Sequence, residues 1–236
     1  MTRDYAAEVQ ARVQWIKDVL AAARCEGVVF GSSGGKDSVL VGILCRRATN
    51  NTLGIIMPCN SLEEDTAHAL LLADKFNIEH ITVDLVEAKE ALVGAIPPIG
   101  PLDTVNIAPR LRMATLYAIA NGRKALVAGT GNRSEGHMGY FTKWGDGAYD
   151  FNPIADLTVT EVYEFLKYLE VPEVLTAKAP SAGLFEGQTD EDEMGITYAE
   201  IDNYLLTGQK GPNFGIIEQF HERSEHKRKP IVKYGG

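Results

Sequence analysis

Basic charge is scarce in this 236-residue chain: 23 lysines and arginines face 32 aspartates and glutamates, a formal net charge of −9. A protein that coats nucleic acid carries a basic face, so no nucleic-acid partner is expected. An anionic ligand would have to be met by local donors. Cysteine is scarce too. Cys25, Cys45 and Cys59 share no metal-ligand spacing and cannot all pair, so they read as small buried hydrophobes in a reducing cytosol. Long apolar runs are missing, and the start Met1-Thr2-Arg3-Asp4-Tyr5 lacks the apolar core of a secretion signal. A cytoplasmic protein with no membrane partner is expected. There is no internal repeat, and the single biased tract, Asp190-Glu191-Asp192-Glu193, reads as a solvated loop edge. What is present is ordinary globular composition, 45% hydrophobic and 23% charged, enough to bury one large core in a single domain over 1–236.

Along the chain, Val9, Val13, Ile16 and Leu20 recur at helical steps, predicting a helix over 4–24. Val28-Val29-Phe30, Leu53 to Met57, His80 to Val83 and Ala125 to Ala128 read as strands, separated by a helix carrying Val39, Ile43 and Leu44 and by helices over 62–76 and from about 107 to 121. Strands alternating with helices imply a doubly wound, parallel α/β sheet with helices on both faces. Ligands of such folds bind beyond the carboxyl ends of the strands, which directs attention to the loops after residues 30, 57 and 128. Past Asp150 the pattern turns helical. Thr158 with Glu161, and Thr197 with Glu200, have the spacing of capping boxes that open two helices. A long loop separates those helices, and its part over 180–195 suggests a lid.

The loop after the first strand carries the chemistry. Gly31, Ser32, Ser33, Gly34, Gly35, Lys36, Asp37 and Ser38 stand where a strand feeds a helix. Glycines let the backbone approach a phosphate, and the first amides of the helix point at its oxygens. Ser33 and Ser38 add hydroxyls and Lys36 a charge. This is not a mononucleotide P-loop, because Asp37 stands where Ser or Thr should follow the lysine. An acid beside a phosphate cradle repels the ligand unless Mg²⁺ lies between them.

Ser33-Gly34-Gly35-Lys36-Asp37-Ser38 resembles the SGGxDS loop of the ATP pyrophosphatases, which activate an oxygen as an adenylate. Three further stretches narrow the class: Asn106 to Met113, Gly129 to Glu135, and Gly139-Tyr140-Phe141-Thr142-Lys143-Trp144-Gly145-Asp146-Gly147 with Asp150. Together with Glu225-His226-Lys227-Arg228 they resemble the NAD synthetase family from about residue 9 to 229. The resemblance implies a mainly parallel five-stranded sheet of the adenine nucleotide alpha-hydrolase-like type over 25–155, and a C-terminal helical part over 156–236. It implies ATP binding by residues 31–38 with Thr130 and Ser181, and Mg²⁺ held by Asp37 and Glu135. It also implies contacts to deamido-NAD from Arg110, Lys143, Asp150, His226 and Lys227. Asp150 would serve either a ribose hydroxyl or the pyridine end. Arg112, two positions from Arg110, points to another helix face and is read as structural.

The implied reaction joins ATP, deamido-NAD and ammonia to give NAD, AMP and pyrophosphate, in a homodimer whose dinucleotide site is shared across the interface. No Ser/His/Asp or Cys/His set offers a nucleophile, so catalysis would rest on positioning and electrostatics. Glutamine-dependent relatives add an amidase domain for which 236 residues leave no room, so free ammonia is the implied donor. The chain departs from the family pattern at Val159, where a phosphate-contacting lysine is usual. A charge-assisted contact is worth ~1.5–3 kcal/mol, so ATP affinity would fall unless Lys36 or Lys178 substitutes. Gly183 likewise replaces a common acid.

Overall fold

The computed structural model describes residues 3–60, 63–97, 100, 104–176 and 189–235. Ser181, Lys178, Gly183 and most of the expected lid lie outside them. Helix α1 (Tyr5–Ala23) is opened by Asp4, whose carboxylate accepts from the Ala7 amide at 3.1 Å, and buries Val9, Ile16 and Leu20. There follow β1 (Gly27–Gly31), α2 (Lys36–Ala48), β2 (Thr52–Ile56), α3 (Glu63–Phe76), β3 (Glu79–Thr82), α4 (Val86–Ala95), α5 (Ile107–Arg123) and β4 (Ala125–Ala128). The strands pair in parallel in the order β3-β2-β1-β4. Side chains of a strand alternate between faces. Val28 and Phe30 therefore join one core with α1 and α2, while Val29 joins another with Leu53, Ile55, Val127 and residues of α5. A sheet covered on both faces is what parallel strands require.

Two expectations need correction. Among the described residues the sheet has four strands, not five. The segment that would extend it past β4 makes a single parallel bridge, Phe151 with Ala128. Pro153, with no amide to donate, follows at once. The Asp150 carboxylate takes the Val127 amide at 2.7 Å in place of a strand carbonyl. The second correction is α4, which lies in a stretch given no element from the sequence.

Beyond β4 come α6 (Arg133–Met138), α7 (Val159–Tyr168), a short 3₁₀ turn (Glu173–Leu175), α8 (Asp190–Met194), α9 (Tyr198–Thr207), α10 (Phe214–Arg223) and α11 (Glu225–Arg228). Both expected capping boxes are formed, by Thr158 with Glu161 and by Thr197 with Glu200. These C-terminal helices build a third apolar cluster on α6, around Met138, Val159, Met194, Tyr198 and Ile201. Buried Asp202 of α9 ties the layer together, accepting from the Ser134 hydroxyl on α6 and from the Thr160 amide of α7 at 2.7 Å. Among the described residues no helix is long and apolar enough to cross a membrane.

Candidate active site

The loop after β1 is bound to the sheet by the Ser32 amide, which donates to Ile55 O at 2.9 Å. Its bend needs Gly34, at φ +77°, where an added Cβ would lie 2.4 Å from the Asp65 carbonyl oxygen of α3. The side chains then organise one another. Ser33 Oγ donates to Ser38 Oγ at 3.2 Å and accepts from the Gly35 amide at 3.3 Å, while Ser38 Oγ reaches Gly35 O at 2.9 Å. The loop wraps the start of α2, whose leading amides and dipole favour an anion.

Facing it across the end of β4 is α6. Glu135 sits on this helix, five residues past Thr130. Asn132 caps the helix: its Oδ1 accepts from the Glu135 amide at 3.0 Å, and its own amide donates to Glu135 Oε2 at 3.1 Å. Its side-chain amide donates to Asp37 Oδ1 at 3.2 Å. One asparagine thus fixes an oxygen of each carboxylate. The other two oxygens face the Lys36 ammonium, Asp37 Oδ2 at 2.7 Å and Glu135 Oε1 at 3.9 Å.

Burial, and then the charge of Asp37, push the Glu135 carboxyl well above the usual carboxylate range. Burial opposes the Lys36 ammonium, but the charges of Asp37 and Glu135 outweigh it and raise its pKa. Two carboxylates converging where a positive charge is already held suit a hard divalent cation with oxygen ligands. Among the described residues no group of three or more His, Cys, Asp or Glu could hold a metal, so ligand oxygens or water would complete the shell.

These groups line one groove of about 730 Å³ at the carboxyl edge of the sheet. Of the residues expected at the site, the groove is lined by Gly31, Ser32, Ser33, Gly35, Lys36, Asp37, Ser38, Thr130, Glu135 and Lys227. Gly34 turns to α3 instead. The Lys227 ammonium is held by the carbonyls of Gly139 and Phe141 at 2.8 and 2.7 Å. Among the described residues Arg110, Lys143, Asp150 and His226 do not line the groove. Lys143 donates to His226 O at 2.7 Å, Arg110 to Lys143 O at 3.4 Å, and Asp150 braces β4.

Sequence reasoning missed four features. Arg112, read as structural, is a half-buried cation on the groove wall that donates to Met57 O at 3.1 Å. Asn132 is given no role by sequence reasoning, although its spacing from Glu135 is that of a capping box. The acidic tract is no solvated loop edge: it forms α8, where Asp190 is buried and accepts from Tyr198 Oη at 3.0 Å. Glu193 accepts from Tyr140 Oη at 2.6 Å, and both acids face the groove. Finally, Val159 opens α7 and is buried in the third cluster with Tyr198. The Lys36 ammonium lies 5.9 Å over that same Tyr198 ring.

A glycine-rich turn opposed by two carboxylates, at the carboxyl edge of a parallel sheet, defines a nucleotide-handling α/β protein. The family model for NAD synthase matches residues 8–232, and the chain belongs to that family. It is 47% identical over 224 residues to the NH(3)-dependent NAD(+) synthetase of Carboxydothermus hydrogenoformans, a match covering 92% of each. The fold is similar to that of the NMN synthetase from Francisella tularensis, at a TM-score of 0.94 and 40% identity over 98% of this chain and 99% of that one. It is also similar to the NH3-dependent NAD synthetase from Campylobacter jejuni in complex with the nitrate ion, at a TM-score of 0.82 and 29% identity, covering 98% and 100%.

Proposed function

We propose that this enzyme is a carbon–nitrogen ligase that amidates deamido-NAD with ammonia at the expense of ATP, the last step of NAD biosynthesis. The observation that carries the reading is the meeting of the phosphate loop, Asp37 and Glu135 in a single groove whose far wall is formed by Phe141, Asp146 and Lys227. ATP lies with its β- and γ-phosphates in the loop, against the hydroxyls of Ser33 and Ser38 and the Lys36 ammonium, with Thr130 beside it. Asp37 and Glu135 would hold Mg²⁺, which when bound would offset negative charge on the pyrophosphate.

The nicotinate carboxylate oxygen attacks the α-phosphorus, the bond to pyrophosphate breaks, and an acyl adenylate forms. Ammonia then attacks the acyl carbon, loses a proton and expels AMP. No side chain is a nucleophile, and the groove contributes alignment and a fixed field. Ser181 completes the phosphate contacts. Arg110, Lys143, Asp150 and His226 serve a dinucleotide bound across a homodimer interface, which accounts for their place outside the groove of one chain. Two features support a dimer: β3 is exposed at all four residues, and α4 buries none of its own despite Val86, Leu92 and Val93. We further propose one domain, divided near residue 155, working in the cytoplasm. The free thiols Cys25, Cys45 and Cys59 suit a reducing compartment.

A second reading is favoured by the likeness to NMN synthetase: the acceptor is nicotinate mononucleotide, which presents the same carboxylate without the adenylyl half. The test is incubation of the purified protein with Mg-ATP, an ammonium salt and either acceptor, with assay of amide product, AMP and pyrophosphate. Deamido-NAD should give NAD and AMP in equal amounts with the higher kcat/KM, whereas a preference for the mononucleotide would establish the second reading. Asp37→Ala should lose nearly all turnover; an active variant would remove the metal assignment.

A further inference from the structure

Asn132 accounts for one oxygen of each carboxylate, and the remaining two share one partner. Asp37 Oδ2 and Glu135 Oε1 both face the Lys36 ammonium, at 2.7 and 3.9 Å. Lys36 is only 7% exposed, so this is a desolvated cation set between two acids, where a divalent ion would sit. A Mg²⁺ ion at ~2.1 Å from those oxygens would stand close to the ammonium, and the two positive charges repel.

We propose that Lys36 is a resident counter-ion of the site. It keeps Asp37 and Glu135 together in the nucleotide-free enzyme, bars free divalent metal, and passes to the terminal phosphates when ATP arrives with its metal. The inference rests on the reading that Asp37 and Glu135 hold the metal, and it adds an order of events.

Free metal entering alone would strand a buried lysine without its acids, and an unpaired buried charge is costly. A triphosphate removes that obstacle by offering a new anion within reach of the flexible four-carbon stem. Lysine, a compact charge, is well suited to phosphate. The loop geometry fits the handover, because Ser33, Ser38 and the start of α2 line the same groove as Lys36.

The test is titration of the full chain with Mn²⁺, following free ion by electron paramagnetic resonance, with and without a non-cleavable α,β-methylene ATP. Wild type should bind Mn²⁺ weakly alone and at least tenfold more tightly with the analogue. Lys36→Met should bind Mn²⁺ alone tenfold or more tightly than wild type, about 1.4 kcal/mol, while its affinity for the analogue falls tenfold or more. Lys36→Gln should behave as Lys36→Met does, which covers a failure of either variant to fold; Lys36→Arg, retaining the charge, should stay near wild type. Unchanged or weaker Mn²⁺ binding in the neutral variants, with wild type still taking up metal beside the analogue, would overturn the counter-ion role and leave the metal assignment standing. No Mn²⁺ uptake by wild type under either condition would overturn both.

Discussion

Replacing Asn132 with alanine should separate the two duties of that side chain. It removes the cap that accepts from the Glu135 amide and the donor that fixes Asp37 Oδ1. Loss of an N-cap costs ~1 kcal/mol. A hydrogen bond to a charged group is worth ~1.5–3 kcal/mol when buried, but water in the open groove replaces part of it. A total of about 2 kcal/mol follows, which for a chain of this size lowers Tm by roughly 4–8 °C. Turnover should suffer more than stability. Asp37 loses its fixed oxygen while Glu135 keeps the backbone amide of residue 132, and a shift of ~1 Å in a catalytic array costs on the order of 100-fold. Asn132→Asp is the informative partner, since it keeps the capping oxygen and sets a second acid against Asp37. It keeps the cap but should melt below wild type, because a buried acid then faces Asp37, and it should lose as much AMP release as Asn132→Ala. Thermal unfolding and steady-state AMP release measure the two effects. Wild-type turnover in Asn132→Asp would show that Asp37 is not positioned from α6.

Two further outcomes follow from the same geometry. Burial, followed by the charges of His221, Arg228 and Arg133, holds the His137 imidazole down at about 4, against an ordinary 6.5. Between those values the unfolded chain binds a proton that the fold does not, so stability rises with pH through that window and is complete above it. The urea midpoint should be lower at pH 5 than at pH 7.5, and His137→Phe should narrow the difference; an unaltered gap would count against this origin. Gly34→Ala places a side chain at positive φ against the Asp65 carbonyl, a backbone strain of ~1–3 kcal/mol before the clash is added. It should lower Tm and weaken binding of a non-cleavable ATP analogue at least tenfold, whereas unchanged binding would mean that the loop shape is not what holds the phosphates.

The parallel layers were legible because they rest on local pattern: apolar runs set between periodic helices, with a glycine turn where β1 meets α2. Both threonine capping boxes were legible for the same reason. What escaped the sequence was either too short or not local. Helix α6 has six residues, too few for a periodicity, and only the Asn132–Glu135 spacing marks it. Helix α4 buries none of its residues, so no core-facing stripe announces it. The acids of α8 look solvated until tyrosines 8 and 53 positions away take their carboxylates. Arg112 does face away from Arg110, as helical spacing required. The face it occupies turned out to be the groove, which only the packing of α5 beside the sheet decides. The fifth strand stops at one bridge because the Asp150 carboxylate takes the Val127 amide and Pro153 has no amide of its own, a competition that strand propensity does not register.

The C-terminal turn of helix holds the wall of the groove without reading its side chains. Lys227 grips the carbonyls of Gly139 and Phe141, and Arg228 reaches those of Gly136 and His137, both at 3.3 Å. Gly139 itself is held to glycine by its φ of +66° and by Ser224, but every amino acid presents the same carbonyl, so the other residues along that wall can drift in identity and retune what the pocket accepts while its backbone contour stays put. Acceptor choice in this scaffold can therefore evolve by changes at single wall positions, with no matching change in the residues that clamp them.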